Sequence, residues 1–310
     1  QLPANQTMQC LVQNIYRSRM HGRNFQRHPQ SALLQHTNRL IQSQVTKCDC
    51  LVIGGGIAGA SVSYQLQKLH GLNVVVLEKE NSPGYHATGK AFGIFAESNA
   101  RTLETKLLTS LSRPFFQSPD EECVDDYIRE NFPEGVLTQT GLLAVSSPPH
   151  YPFLYEHFGP TEGMKFKENI HVLPQADICN YAPFLQHEEL AKCAIWEPQA
   201  ANFNTGLVYE HFLIGGNHVG VRYFFNQSAL EVTKANSGNW EVLTYNAETN
   251  SIDRFEAGMI VNSCGQWADE TAKKAGITPI DLVTHKRNVI VFTYSDKRAV
   301  KAKKASSKPY

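Results

Sequence analysis

The chain has 310 residues, 42% of them hydrophobic, with 21 Gly and 15 Pro; this describes one large or two ordinary packed domains and excludes a disordered or collagen-like chain. No window approaches 18 consecutive apolar residues, so no membrane-spanning helix is expected. The net charge of zero conceals unlike parts: residues 1–47 and 297–310 each hold six cations and no acid, leaving 48–296 at −12, a sign that does not attract the phosphates of nucleic acid.

Residues 1–47 are rich in Arg, Gln and Ser and show neither strand alternation nor a helical period. The composition suits a mitochondrial transit peptide, an unstructured extension, or sequence from outside the mature protein, so the location is read as cytoplasmic or mitochondrial. Structure is expected from Cys48. Cys50-Leu51-Val52-Ile53 is a short apolar run of the kind that forms a parallel strand buried on both faces. Gly54-Gly55-Gly56-Ile57-Ala58-Gly59 follows, then a helix over about Ala58–Leu69 ended by Gly71, then a strand Asn73–Leu77 that leads into Glu78. Together these form a β-α-β unit of about 30 residues.

Leu103, Leu107 and Leu111 recur every four residues and predict an amphipathic helix that stops near Pro114. Residues 117–135 read as an acidic loop. Gly141–Val145 and His171–Leu173 read as strands. Ala229–Lys234 and Trp240–Tyr245 read as a hairpin through Asn236-Ser237-Gly238-Asn239. Met259–Asn262 is a further buried strand, followed by a turn at Gly265 and a helix over about Ala268–Lys274 with Gly276 beyond it. Val289–Phe292 is the last predicted strand, and a basic tail ends the chain. The seven cysteines include no C-x-x-C pair, which points to reduced, buried thiols and to no metal site.

One constellation carries chemistry. The glycines follow a buried strand, open a helix, and precede a second strand that ends in an acid 24 residues after Gly54. Gly54 permits the tight turn, Gly56 lets the backbone approach a pyrophosphate, and Gly59 permits close helix–strand packing. The helix N-terminus offers N–H groups to phosphates, and Glu78 can accept hydrogen bonds from a ribose. Pro83–Lys90, which supplies small residues, a hydroxyl and a cation just after that acid, points to a larger dinucleotide than NAD.

Five stretches in order, Leu51–Ser61, Val75–Glu78, Pro83–Lys90, Ala229–Val232 and Val261–Trp267, resemble the D-amino-acid oxidase superfamily of FAD-dependent oxidoreductases, and most nearly its bacterial D-arginine dehydrogenases. The resemblance spans about Asp49 to Phe292. It implies an α/β fold: a Rossmann-like FAD-binding domain (the second glutathione-reductase type) interleaved with an incomplete α+β substrate domain. The expected division is 48–140 and 226–283 for the FAD domain, 141–225 and 284–296 for the substrate domain, and 1–47 and 297–310 for basic ends. It implies FAD held by Gly54, Gly56, Ile57, Ala58, Gly59, Glu78 and Lys79. Thr88, Gly89 and Lys90 would lie along the pyrophosphate and flavin, the Val232 backbone at the adenine, and Cys264 and Gly265 in the turn over the nucleotide. Arg287 would stand on the substrate side, or else as a solvated cation at a strand edge.

Departures from the arginine enzymes matter as well. Ile94 and Asn99 replace a substrate-facing histidine and tyrosine, and Gly141 replaces the glutamate that pairs with a basic side chain, so arginine specificity is not implied. The family pattern also continues beyond the point where this chain ends. The expected function is oxidation of the CH–NH group of an amino acid or related amine by hydride transfer to FAD, with an electron acceptor that the sequence does not identify. No catalytic side chain stands out, and His150, His157 and His211 read as surface or structural residues. The alternative is a truncated, non-catalytic nucleotide-binding or interaction protein.

Overall fold

A computed structural model describes residues 41–91, 93–117, 130, 135–164, 167–185 and 191–285. Strand β1 (Ile41–Ile53) leads through the glycine loop into helix α1 (Ile57–His70), which Gly71 ends with φ +63°, and then into β2 (Val74–Leu77). β1 and β2 pair in parallel from Cys50↔Val74 to Ile53↔Leu77. Alternate side chains serve opposite faces. Leu51, Ile53, Val75 and Leu77 pack on one side, while Cys50, Val52, Val74 and Val76 pack on the other with Val62 and Leu66 of α1 beside them. Both faces are covered, which is why these runs are apolar without alternation.

The sheet has six strands in the order β10-β11-β12-β1-β2-β9. β9 (Arg222–Phe224) lies parallel to β2. β10 (Gln227–Lys234), β11 (Trp240–Asn246) and β12 (Ser251–Asn262) form an antiparallel meander whose last strand runs parallel to β1. Val232, Val242, Phe255 and Ala257 of the meander pack against Leu51 and Leu77, so it folds back over one face of the parallel strands. Helix α6 (Ala268–Lys274) follows, with Gly276 at φ +66° just beyond it.

Between these parts lies a second region. β3 (Ile94–Phe95), β4 (Leu137–Gln139) and β8 (Ala201–Phe203) form one small sheet; β5 (Leu142–Ser146), β6 (His171–Pro174) and β7 (Cys193–Glu197) form another. Helices α2 (Leu103–Gln117), α3 (Tyr151–Phe158) and α4 (Gln175–Tyr181) belong to this region. Helix α5 (Thr205–His218), with the Asn204 side chain accepting from Leu207 N at 3.1 Å, returns to pack on α1.

The structure corrects several expectations. β1 begins at Ile41, inside the segment read as an extension. Its first half pairs with β12 alone and carries polar residues such as Lys47, which meets Glu256 at 3.4 Å, so it has no apolar signature. β3 and β4 both pair with β8, α5 packs on α1, and β9 pairs with β2. Pro114 lies within α2 and does not end it. Leu111 is 70% exposed, whereas Lys106 on the same helix is 1% exposed. The Lys106 ammonium reaches Gly159 O and Thr161 Oγ1, both at 2.9 Å, which is what permits its burial. Most of the predicted acidic loop, the strand at Val289–Phe292, Arg287 and the basic tail lie outside the described residues.

Candidate nucleotide site

The site begins where β1 ends. Gly54 has φ +108°, a conformation that a side chain disfavours, and a Cβ there would stand 2.5 Å from Ser263 O. A Cβ at Gly59 would stand 1.9 Å from Gly54 O, so α1 can lie this close to the loop only with glycine at that position. Gly56 differs from both. Its backbone (φ −75°, ψ −174°) suits any residue, and the only atom within 4 Å of a Cβ there is Thr88 Oγ1, at 3.2 Å. Gly54 and Gly59 therefore face protein, and Gly56 faces an opening.

Glu78 closes one side of the opening. It is 8% exposed and held by two backbone donors: Gly55 N reaches Oε2 at 2.9 Å and Glu80 N reaches Oε1 at 3.0 Å. A carboxylate has about four lone-pair sites, so acceptor capacity remains for two further donors. Tyr209, on α5, donates its phenol proton to Gly55 O and fixes the loop from behind. Burial, reinforced by Glu78 and Tyr223, pushes that phenol above its ordinary pKa.

The segment 83–90 forms the opposite side. Gly84 has φ +68° and abuts the Tyr209 ring; Gly89 N donates to Gly84 O at 2.7 Å. Thr88 starts a single turn, Thr88–Lys90, and its hydroxyl accepts from Ile57 N at 3.0 Å. That N–H is one of the unpaired donors at the α1 N-terminus, and here it is satisfied by a neutral oxygen at the mouth of the opening. Lys90 is exposed, with its ammonium 5.3 Å from the Tyr85 ring centre.

The end of β12 supplies the third side. Ser263 Oγ donates to Ile53 O and Gly54 O, both at 3.0 Å. The Cys264 thiol lies 3.1 Å from Ile53 O, and burial pushes it up from its ordinary range, so it is an unreactive packing group. Gly265 has φ +55°. Val232 is buried in the core against the β1–β2 strands, so only its backbone can meet a ligand.

Among the predicted residues the structure puts Gly54 against Gly59 and Cys264, Gly56 and Ile57 against Thr88, and Glu78 against the Gly55 backbone between them. Sequence reasoning missed Tyr209 and Ser263. Ser263 stands inside a segment already singled out; Tyr209 lies 131 residues after Glu78 with no local signal. Among the described residues no three His, Cys, Asp or Glu side chains gather as a metal site, and no helix is long and apolar enough to cross a membrane.

Comparison with known proteins gives a consistent set. The family model described as "DAO: FAD dependent oxidoreductase" matches residues 49–308. D-erythritol 1-phosphate dehydrogenase of Brucella abortus is 24% identical over 237 residues, covering 72% of this chain and 42% of that protein. Glycine oxidase of Geobacillus kaustophilus shares the fold with a TM-score of 0.58 at 19% identity, over 75% of this chain and 59% of the other. The FAD-bound L-α-glycerophosphate oxidase of Mycoplasma pneumoniae gives 0.57 at 17% identity, over 75% and 58%. The chain therefore spans about half the length of these relatives.

Proposed function

The chain belongs to the DAO family of FAD-dependent oxidoreductases, whose cofactor is FAD, and from that premise we propose that the opening over Gly56 takes the ADP half of the cofactor. The observation that carries this is the contrast among the glycines: Gly54 and Gly59 are closed off by backbone, while Gly56, at a helix N-terminus, meets only the Thr88 hydroxyl. Residues and group fit. A phosphate at Gly56 would take the N–H groups of Ile57 and Ala58 and the Thr88 hydroxyl. The free lone pairs of Glu78 would accept from the ribose hydroxyls, and the two backbone donors already on Glu78 hold its carboxylate in place beforehand. Lys79 lies beside that acid, and Gly89 and Lys90 continue from Thr88 toward the flavin. The Val232 backbone would meet the adenine, Cys264 and Gly265 would close the turn above it, and Arg287 is assigned to the substrate side on the resemblance.

When bound, FAD supplies a two-electron acceptor for a substrate C–H bond. We propose an amino acid or related amine as the substrate: the carbon gives up a hydride, the nitrogen a proton, and water hydrolyses the imine. The role of the protein is to align the C–H bond and exclude water. A second reading has a specific basis, since two of the relatives are named for phosphorylated polyols, erythritol 1-phosphate and glycerophosphate. The test is anaerobic mixing of the FAD-loaded chain with a panel of D- and L-amino acids, N-methylated amines and polyol phosphates. Flavin bleaching by an amine but not by a polyol phosphate supports the first reading, and the reverse pattern supports the second. Repetition in air and with an artificial dye addresses the electron acceptor.

A further inference from the structure

Lys79, one of the assigned cofactor contacts, belongs to a cluster whose other members, Glu80, Tyr85, His86 and Trp267, have no role assigned above. Trp267 ends the short turn after Gly265. The Lys79 ammonium sits 3.2 Å from the centre of its indole ring. The His86 ring packs edge-on against the same indole, with centroids 4.7 Å apart and planes at 65°. His86 Nε2 in turn lies 2.7 Å from Glu80 Oε1, and Lys79 Nζ lies 3.7 Å from that same oxygen. Tyr85 packs edge-on against His86 at 5.2 Å. Each member stands within a few residues of an assigned contact: Lys79 and Glu80 follow Glu78, His86 precedes Thr88 by two, and Trp267 follows Gly265 by two.

We propose that Trp267 is a positioning residue for the cofactor. It fastens the 83–90 segment to the end of β2 and thereby holds Thr88 over the α1 N-terminus. The inference rests on the nucleotide reading above and deepens it. The physical argument is one of connectivity. Segment 83–90 is held at its base by Gly84 against Tyr209, in its middle by His86 against Glu80, and at its tip by the bond from Ile57 N to Thr88. A phosphate that arrives at Gly56 competes for that N–H group. The segment then keeps its place through contacts that the ligand does not displace: Gly84 against Tyr209, the His86–Glu80 hydrogen bond, and the indole, touched by both Lys79 and His86. A cation over an indole face is attracted by the ring quadrupole, and an edge-on aromatic pair adds a preferred geometry. The members are partly exposed, so their removal leaves no buried polar group unpaired and the fold intact.

The experiment is an FAD titration of the full chain, followed by quenching of flavin fluorescence. It compares wild type with Trp267→Ala, Trp267→Phe, His86→Ala and the double variant His86→Ala/Trp267→Ala, with a melting curve for each protein without FAD. Trp267→Ala is expected to bind about tenfold more weakly, consistent with loss of one cation–π and one aromatic contact. Trp267→Phe, which keeps a ring, recovers most of that loss. The double variant is weaker than Trp267→Ala by less than His86→Ala alone is weaker than wild type, because both residues act through one contact. Unchanged affinity in Trp267→Ala, or strictly additive losses, overturns the proposal. A loss that tracks a collapse in melting temperature and is not recovered by Phe also overturns it, since that marks a merely structural residue. Absence of saturable binding by wild type overturns the nucleotide reading itself, a result distinct from wild-type binding that the Trp267 variants leave unchanged.

Discussion

At the scale of single residues Gly54 and Gly59 abut backbone whereas Gly56 meets only the Thr88 side chain, and the two kinds predict different failures. Gly56→Val places a branched side chain in the opening without backbone strain, because φ at Gly56 is −75°. The expected outcome is loss of FAD binding with circular dichroism and melting temperature unchanged. Glu78→Ala removes a charged acceptor, a type of bond that contributes about 1.5–3 kcal/mol. Titration should show FAD binding weakened by roughly ten- to hundredfold. It should also show a smaller loss than Gly56→Val, since the opening itself stays clear. An unchanged affinity for Glu78→Ala would mean that the ribose lies elsewhere. By contrast, Gly59→Ala puts a Cβ 1.9 Å from Gly54 O, so α1 must move off the loop. Overpacking of this kind costs on the order of 3 kcal/mol, to be read as a lowered denaturation midpoint before any cofactor is added.

At the scale of elements, the strand–loop–helix–strand unit was legible because its strands are buried on both faces and its glycines have separate steric reasons. The predicted span of α6 matches the structure, and the meander strands are longer than predicted; Met259–Asn262, read as buried, is the more exposed end of β12, whose buried residues lie within Ser251–Ala257. What escaped notice did so for physical causes. Helix α5 contains Gly206, Gly215 and Gly216, which weaken a helical signal. Two of them serve close packing, since a Cβ at Gly215 would touch the Tyr64 ring at 3.1 Å and one at Gly216 the Tyr223 hydroxyl at 2.4 Å. The buried side of α2 was misjudged because it carries polar groups. Ser110 Oγ donates to Glu97 Oε2 at 2.7 Å, and Arg113 pairs with the other Glu97 oxygen. Glu197, at the end of β7, accepts from the backbone N–H groups of Glu97 at 2.8 Å and Ser98 at 3.2 Å, and from the Ser98 hydroxyl. Both carboxylates are nearly inaccessible, Glu97 at 3% and Glu197 at 2%. Glu197→Ala would leave three buried donors without an acceptor and remove the carboxylate that faces the buried Lys106. A loss of about 3–5 kcal/mol is expected, measured by urea unfolding. A change below about 1 kcal/mol, typical of a surface pair, would show that this network does not hold the second region together.

At the scale of the whole molecule, a parallel sheet with a folded-back meander brings three separate stretches of chain, 54–59, 78–90 and 263–267, to one opening. The second region, inserted between β2 and β9, is tied back through α5 and Tyr209. The central claim is that this opening binds the ADP half of FAD through Gly56 and Glu78. It is tested most directly by isothermal titration of the purified chain with FAD, with ADP as competitor and Gly56→Val as control. The account predicts saturable binding at one FAD per chain, competition by ADP, and loss of both in Gly56→Val while its fold is retained. Equal FAD binding by wild type and a folded Gly56→Val protein would contradict it.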